Sequence, residues 1–139
     1  MQLTVQTDYA LRTLMYLASQ DERVTVADVA TLFQISSNHV AKVVNQLSRF
    51  GYIRSVRGLG GGIELATPLE EIRLGEVIER FEGSLHLLDC VGTDNVCVIQ
   101  PFCKLKGVLA EAERIQLEYL NSVTLAGVAP SKQQLLNLT

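Results

Sequence analysis

The stretch Ser36-Ser-Asn-His-Val40-Ala-Lys-Val-Val-Asn45-Gln-Leu-Ser-Arg-Phe50-Gly51 separates into two faces when wound at helical pitch. Val40, Val43, Val44, Leu47 and Phe50 fall on one side. Asn38, Lys42, Asn45 and Arg49 fall on the other, with His39 and Gln46 beside them. Ser37 is placed to cap a helix running from Asn38 to about Phe50, and Gly51 suits the residue just past its end. The outer face carries amides and bases and no acid. Asn and Gln side chains match adenine edges, and Arg and Lys match guanine. Ser36 and Ser37, with the free N–H groups of a helix start, suit a phosphate. Taken by itself, the stretch also fits an ordinary solvated helix face.

The flanking sequence favours the nucleic-acid reading. Upstream, Thr25-Val-Ala-Asp28 approximates a capping box, and Val26, Val29, Ala30, Leu32 and Phe33 form the buried side of a second helix. Gln34-Ile35-Ser36 is then a tight turn, giving a helix-turn-helix. Downstream, Tyr52 to Val56 reads as a strand, Arg57-Gly-Leu-Gly-Gly-Gly62 as a glycine turn, and Ile63-Glu-Leu65 as the return strand. This hairpin is a wing, and Arg57 at its tip suits a minor groove. The glycines do not form a nucleotide loop, because the Lys-Ser/Thr pair and the following helix are missing.

The formal net charge of −3 hides a local basic patch. Residues 1–67 hold six Lys/Arg against five Asp/Glu, whereas residues 68–139 hold six against ten. From Ser36 to Arg57 there are four bases, Lys42, Arg49, Arg54 and Arg57, and no acid, which is the distribution a phosphate backbone senses.

Towards the N-terminus, Thr7 suits the cap of a first helix with a stripe at Leu11, Leu14, Met15, Leu17 and Ala18. Asp8 then lies in the first turn, where the helix dipole favours an acid. Beyond the wing, Pro68 breaks the chain and a single turn covers Leu69 to Ile72. A helix follows from about Leu74 to Glu82, closed by Gly83. Pro101 is placed to start a long helix from Phe102 to about Val123. Its stripe of Leu105, Val108, Leu109, Ala112, Ile115, Tyr119, Leu120 and Val123 is too long for a small domain to cover, so it suits the same helix of a second copy. After another turn at Thr124 to Val128, the polar tail from Pro130 is expected to fray. The fold class is thus mainly α with a small β-hairpin: a winged helix-turn-helix plus a long C-terminal dimerisation helix. The expected divisions are a DNA-binding unit at 1–67, a linker helix and cysteine loop at 68–100, the dimerisation helix at 101–124 and a tail at 125–139.

Composition agrees with one modest domain. The 139 residues are 47% hydrophobic, and the mean hydropathy of +0.21 leaves surplus apolar surface for a partner. No run approaches the ~18 apolar residues of a membrane span, and the N-terminus lacks an export layout. A soluble cytoplasmic protein is expected.

All three cysteines fall within 14 residues, Cys90, Cys97 and Cys103, spaced C-x6-C-x5-C around a Gly-Thr-Asp-Asn turn. An odd count without an export signal disfavours a disulfide framework and favours metal, cluster or thiol chemistry. Three thiols leave one coordination position to another group. His86, four residues before Cys90, is one candidate, to hold zinc with the cysteines. A thiol sensor is an alternative use of the same loop. An enzyme with Cys97 as nucleophile and His86 as base lacks any third orienting group or substrate-binding loop. A dimeric adaptor without DNA binding conflicts with the acid-free stretch.

Several segments, taken in order, resemble one family. They are Met1-Gln-Leu-Thr4, Thr7-Asp-Tyr-Ala-Leu-Arg12, Ser37-Asn-His39, Asn45-Gln-Leu-Ser48, Gly51-Tyr52, Val56-Arg-Gly58, Gly61-Gly-Ile63, the three-cysteine loop, Tyr119-Leu-Asn121 and Thr124-Leu-Ala126. Over nearly its whole length the chain is similar to the small iron–sulfur winged-helix regulators, the IscR-related family, and especially to their nitric-oxide-sensing repressors. The resemblance implies a cytoplasmic homodimer on a pseudo-palindromic double-stranded DNA operator, with one cluster per subunit on Cys90, Cys97 and Cys103. It also implies a [4Fe-4S] cluster in preference to [2Fe-2S], with Asp8 of the partner subunit as fourth ligand and nitric oxide as the signal. Members that use a histidine just after the third cysteine differ, since none follows Cys103. At the wing tip, Leu59-Gly60 stands where close relatives carry Lys-Asn.

Overall fold

The computed structural model describes residues 2–138; Met1 of the first quoted segment and Thr139 lie outside the described residues. Helix α1 spans Val5–Ala18, one turn earlier than the sequence suggests. Thr4, not Thr7, is its N-cap, with Oγ1 accepting the Thr7 N–H at 3.4 Å. Thr7 is fully buried and donates its hydroxyl to Glu82 Oε1 at 3.0 Å, so it is committed to a contact 75 positions away.

Helix α2, Val26–Phe33, opens with the expected capping box: Thr25 N–H to Asp28 Oδ2 at 2.8 Å and Asp28 N–H to Thr25 Oγ1 at 3.1 Å. It ends at Gln34, a non-glycine residue with φ of 56°. The Ile35 N–H reaches back to the Ala30 carbonyl at 3.0 Å, closing the helix before the turn. Helix α3, Ser37–Arg49, starts one residue before the expected position, because Ser36 is the cap and accepts the His39 N–H at 3.2 Å.

Strands β1, Ile53–Val56, and β2, Gly62–Leu65, pair antiparallel with Ile53 opposite Leu65 and Val56 opposite Gly62. Val24 adds a bridge to Ile63, which anchors the hairpin to the start of α2. Gly58 and Gly60 turn the tip with φ of 91° and 71°, values open to glycine at little cost.

Helix α4, Leu74–Glu82, has the expected limits. A short helix α5, Asp89–Gly92, carries Cys90. Pro101 lies in a 3-10 turn, Gln100–Phe102, and the long helix α6, Lys104–Ser122, begins after it instead of at Phe102. The cause is Cys103, which is extended (φ −77°, ψ 113°) and occupies the N-cap position. A 3-10 turn at Leu125–Gly127 follows. The tail does not fray directly: Ser131 and Gln134 form a capping box for helix α7, Lys132–Leu136, and Lys132 pairs with Asp21 at 3.1 Å.

One apolar cluster unites these elements. Ala10 and Leu14 of α1, Val29 of α2, Val40, Val43 and Leu47 of α3, and Ile53 and Ile63 of the wing are buried together with Ile72, Val77 and Leu125. Burying each Leu or Ile stabilises the fold by about 1.5–3 kcal/mol. The winged helix therefore shares its core with α4 and with the chain that follows α6. Gly75 lets α4 approach α6 closely, because a Cβ there would collide with Asn121.

Candidate functional site

The outer face of α3 stands clear of the core. Ser36, Ser37, Asn38, His39, Lys42, Asn45 and Arg49 are all exposed, and α3 has no acid in its first turn. Gln46 differs from the expectation: it is half-buried, and its Oε1 is enclosed without a hydrogen-bond partner. Ser36 has its Oγ engaged in capping α3, so what it offers a phosphate is the helix start it organises.

Arg57 is exposed on the wing, as expected. The wing is braced from its far side. Glu64 accepts Arg54 Nε at 3.0 Å and lies 3.2 Å from Arg23 Nε, while Arg23 also reaches the Gly60 carbonyl at 3.3 Å. The bond from Arg54 is the main reason the Glu64 carboxyl sits below the usual carboxylate range. At the wing apex Leu59 is fully exposed.

The recognition helix is linked to α1 through rings. The His39 imidazole lies 6.1 Å from the Tyr9 ring. The Arg12 guanidinium sits 6.0 Å from Tyr9 and 5.7 Å from Phe33 of α2. Arg12 also grips Asp8, with Nε to Oδ1 at 2.9 Å and Nη2 to Oδ2 at 2.8 Å. The pair has i,i+4 spacing on α1, and neither it nor the ring contacts of Arg12 figured in the sequence expectations.

The cysteines occupy three different settings on one loop. Cys90 is half-buried in α5, Cys97 is exposed, and Cys103 is half-buried at the cap of α6; all three are free thiols. Among the described residues, no three His, Cys, Asp or Glu side chains converge closely enough to hold a metal ion. The thiols therefore share a loop without closing on one point, and Asp8 of the same chain is not among them. Cys97 lines an open hollow of about 540 Å³ together with Asp94, Val98, Gln100, Pro101 and Lys106. Lys106 lies 3.6 Å from Asp94 across it. Three soft thiol donors on an exposed loop match iron or an iron–sulfur cluster by donor chemistry.

His86 is committed elsewhere. Its Nδ1 lies 3.0 Å from Glu113 Oε2 on α6, and Glu113 Oε1 accepts the Leu87 N–H. Burial pushes the Glu113 carboxyl upward, but the bonds from His86 and Leu87 outweigh it and the carboxyl ends below its ordinary value. The other edge of the imidazole lies against Gly92, where a Cβ would collide with it. His86 is thus a brace between α6 and the start of the cysteine loop, and it is not paired with Cys97.

Two further residues escaped the sequence reading. Glu82 accepts both the Thr4 N–H, at 2.6 Å, and the Thr7 hydroxyl, so the end of α4 fixes the start of α1. Gln100 bonds across the cysteine loop. Neither carries a local sequence signature.

Helix α6 has two unlike faces. Leu109, Glu113, Leu117 and Leu120 are half-buried, and α6 packs on α4. Leu105, Val108, Ile115 and Tyr119 are each more than half exposed, forming an apolar stripe along the opposite side. No helix among the described residues is long and apolar enough to cross a membrane.

Comparison with known proteins fits this architecture. Residues 3–131 match the Rrf2 family model, described as an iron-dependent transcriptional regulator. The HTH-type transcriptional regulator NsrR of Halalkalibacterium halodurans is 43% identical over 138 residues, covering 97% of this chain and 94% of that protein. CymR, the global cysteine regulator of B. subtilis, superposes with a TM-score of 0.77 at 20% identity, over 93% of this chain and 96% of its own. T. potens IscR gives a TM-score of 0.73 at 25% identity, over 91% and 85%. These relatives are regulators and not enzymes. With an exposed recognition face, a braced wing and a family match along nearly its whole length, the chain belongs to the Rrf2 family of DNA-binding transcriptional regulators, among its NsrR-type members.

Proposed function

We propose that the chain is a repressor whose operator binding is governed by an iron–sulfur cluster that reacts with nitric oxide. Cys90, Cys97 and Cys103 would supply three ligands and Asp8 of the partner subunit the fourth, favouring [4Fe-4S], with one cluster per subunit. The observation that carries this reading is the route from Asp8 through Arg12 and Tyr9 to His39 on the recognition helix. A change at the Asp8 carboxylate has a short packed path to the DNA face.

Cys90, Cys97, Cys103 and the partner subunit's Asp8 would hold the cluster, which would supply the chemistry that responds to nitric oxide, and a carboxylate would be a weaker fourth ligand than a thiolate. The rest falls to the chain itself. An Asp8 carboxylate drawn to the partner's loop would share or give up the two bonds it accepts from Arg12. Arg12 would then hold Asp8 less firmly over Tyr9 and Phe33, the rings against α3 and in α2. Without a ligand role, Asp8 would be held by Arg12 alone, as in the single chain, and α1 would not be tied to the partner.

Pairing of two copies through Leu105, Val108, Ile115 and Tyr119 would bring both recognition helices to one operator. Half-sites of a dimeric reader are separated by about one helical turn, ~34 Å, or a multiple, so a small rotation between copies disrupts binding. Lys42 and Arg49 on α3 would meet phosphate or guanine, Arg57 on the wing would enter a minor groove, and Asn38 and Asn45 would meet base edges. Ser36, Ser37 and His39 would hold the helix start against the backbone, and Gln46 would contribute from the edge of the face.

Native mass spectrometry of anaerobically purified protein tests the cofactor directly. The expected result is a dimer with one [4Fe-4S] mass increment per chain. A colourless, zinc-loaded protein would instead support the thiol or zinc sensor.

A further inference from the structure

Gln100 is hydrogen-bonded to the backbone of all three cysteines. Its Nε2 donates to the Cys90 carbonyl at 2.8 Å and to the Thr93 carbonyl at 2.6 Å. Its Oε1 accepts the N–H of Val96 at 3.0 Å and of Cys97 at 3.4 Å. Its own N–H donates to the Cys97 carbonyl at 3.1 Å, and its own carbonyl accepts the Cys103 N–H at 3.3 Å. A primary amide offers two hydrogens and two acceptor lone pairs, so the capacity of this side chain is filled.

The surroundings make this bonding unusual. The loop from Gly92 to Ile99 is exposed throughout and holds a left-handed residue, Asn95, at φ of 61°. Such a segment gains little from apolar burial, and an ordered exposed loop must meet its conformational entropy by specific bonds. Gln100 provides four of them from one half-buried side chain, all within the loop. Only an amide fits the role. Glutamate has the same shape but no hydrogens to donate, and it would set a carboxylate against the carbonyls of Cys90 and Thr93. It would also add negative charge beside thiolates. Alanine removes all four side-chain bonds.

We infer that Gln100 is the positioning residue of the cysteine loop. It fixes the backbone of Cys90, Cys97 and Cys103 relative to one another in the metal-free chain, so that metal binding calls on an already ordered loop backbone. This rests on reading the loop as the cluster site. Supporting groups that orient ligands typically account for about 10–100-fold in metal affinity, and Gln100 acts in that way through the peptide backbone instead of through the sulfurs.

The test uses full-length wild type, Gln100→Glu and Gln100→Ala. The metal-free proteins are titrated anaerobically with Cd2+, followed by thiolate-to-metal charge-transfer absorbance. They are then reconstituted with ferrous iron and sulfide and challenged with a chelator. Both variants should melt at the wild-type temperature, bind Cd2+ about tenfold or more weakly, and lose the cluster about tenfold or more faster. Equal Cd2+ affinity and equal cluster lifetime in wild type and both variants would overturn the assignment. A wild type that binds Cd2+ through its thiols yet assembles no cluster would sink the iron–sulfur reading alone, and the Cd2+ comparison would still decide the role of Gln100.

Discussion

The Asp8 carboxylate is held by Arg12 through two nitrogens, at 2.9 and 2.8 Å, one helical turn along α1. The same guanidinium lies over the rings of Tyr9 and Phe33, and so joins the start of α1 to the helix-turn-helix. An Asp8 that ligates in the partner would share its carboxylate between the metal and Arg12.

Replacing Asp8 by Ala separates its two roles. As a partly exposed i,i+4 pair it contributes only about 0.3–0.5 kcal/mol to the isolated fold, so the melting temperature should barely move. As a fourth ligand it matters far more. The variant should lose its cluster to a chelator about tenfold or more faster, measured by visible absorbance under anaerobic conditions. An unchanged cluster lifetime would remove Asp8 from the ligand set.

Residues of the DNA face have distinct expected signatures. Arg57→Ala should weaken duplex binding and lower the salt slope by about 1, because a cation between the two phosphate strands of a minor groove is lost. Asn45→Ala should instead cost about 1–3 kcal/mol on the preferred operator and relax discrimination at one base pair. Fluorescence anisotropy at several salt concentrations checks both.

The stripe on α6 gives a prediction about assembly. Ile115 is more than half exposed in the single chain, so Ile115→Glu should change the stability of an isolated copy by no more than about 0.5 kcal/mol. In a dimer it would bury a charge in an apolar contact. Sedimentation velocity should find wild type dimeric and the variant monomeric at micromolar concentration. A variant that stays dimeric would place the interface elsewhere.

Leu47 is fully buried on the inner side of α3. Leu47→Ala should cost about 2–5 kcal/mol in denaturant unfolding, from lost burial plus the cavity left behind. Removing the α2 cap with Thr25→Ala should cost about 1 kcal/mol.

These contrasts also explain what could be read in advance. The apolar spacing in α2 and α3, the Thr25–Asp28 box and the glycine turn are local features, and they gave the helix-turn-helix and wing with limits correct to a residue or two. The α1 cap was misplaced because Thr4 and Thr7 are both competent caps. The choice is made by Glu82, which draws Thr7 into the core. The start of α6 was misplaced because Pro101 fits a 3-10 turn as well as a helix. The ordered tail was missed although Ser131 and Gln134 have capping-box spacing, since the polar composition suggested fraying. In the cysteine loop, three thiols were plain from the sequence, while the amide that ties their backbones depends on side-chain reach across ten residues. The brace of His86 by Glu113 is likewise a contact between distant positions, invisible to any local pattern.

The coupling of cluster to DNA is tested most directly by titrating one operator duplex with holo, apo and nitrosylated protein under identical anaerobic conditions. Tight binding by the holo dimer alone, with apo and nitrosylated protein at least about tenfold weaker (~1.4 kcal/mol), is the predicted result. Equal affinity of all three forms would contradict the account.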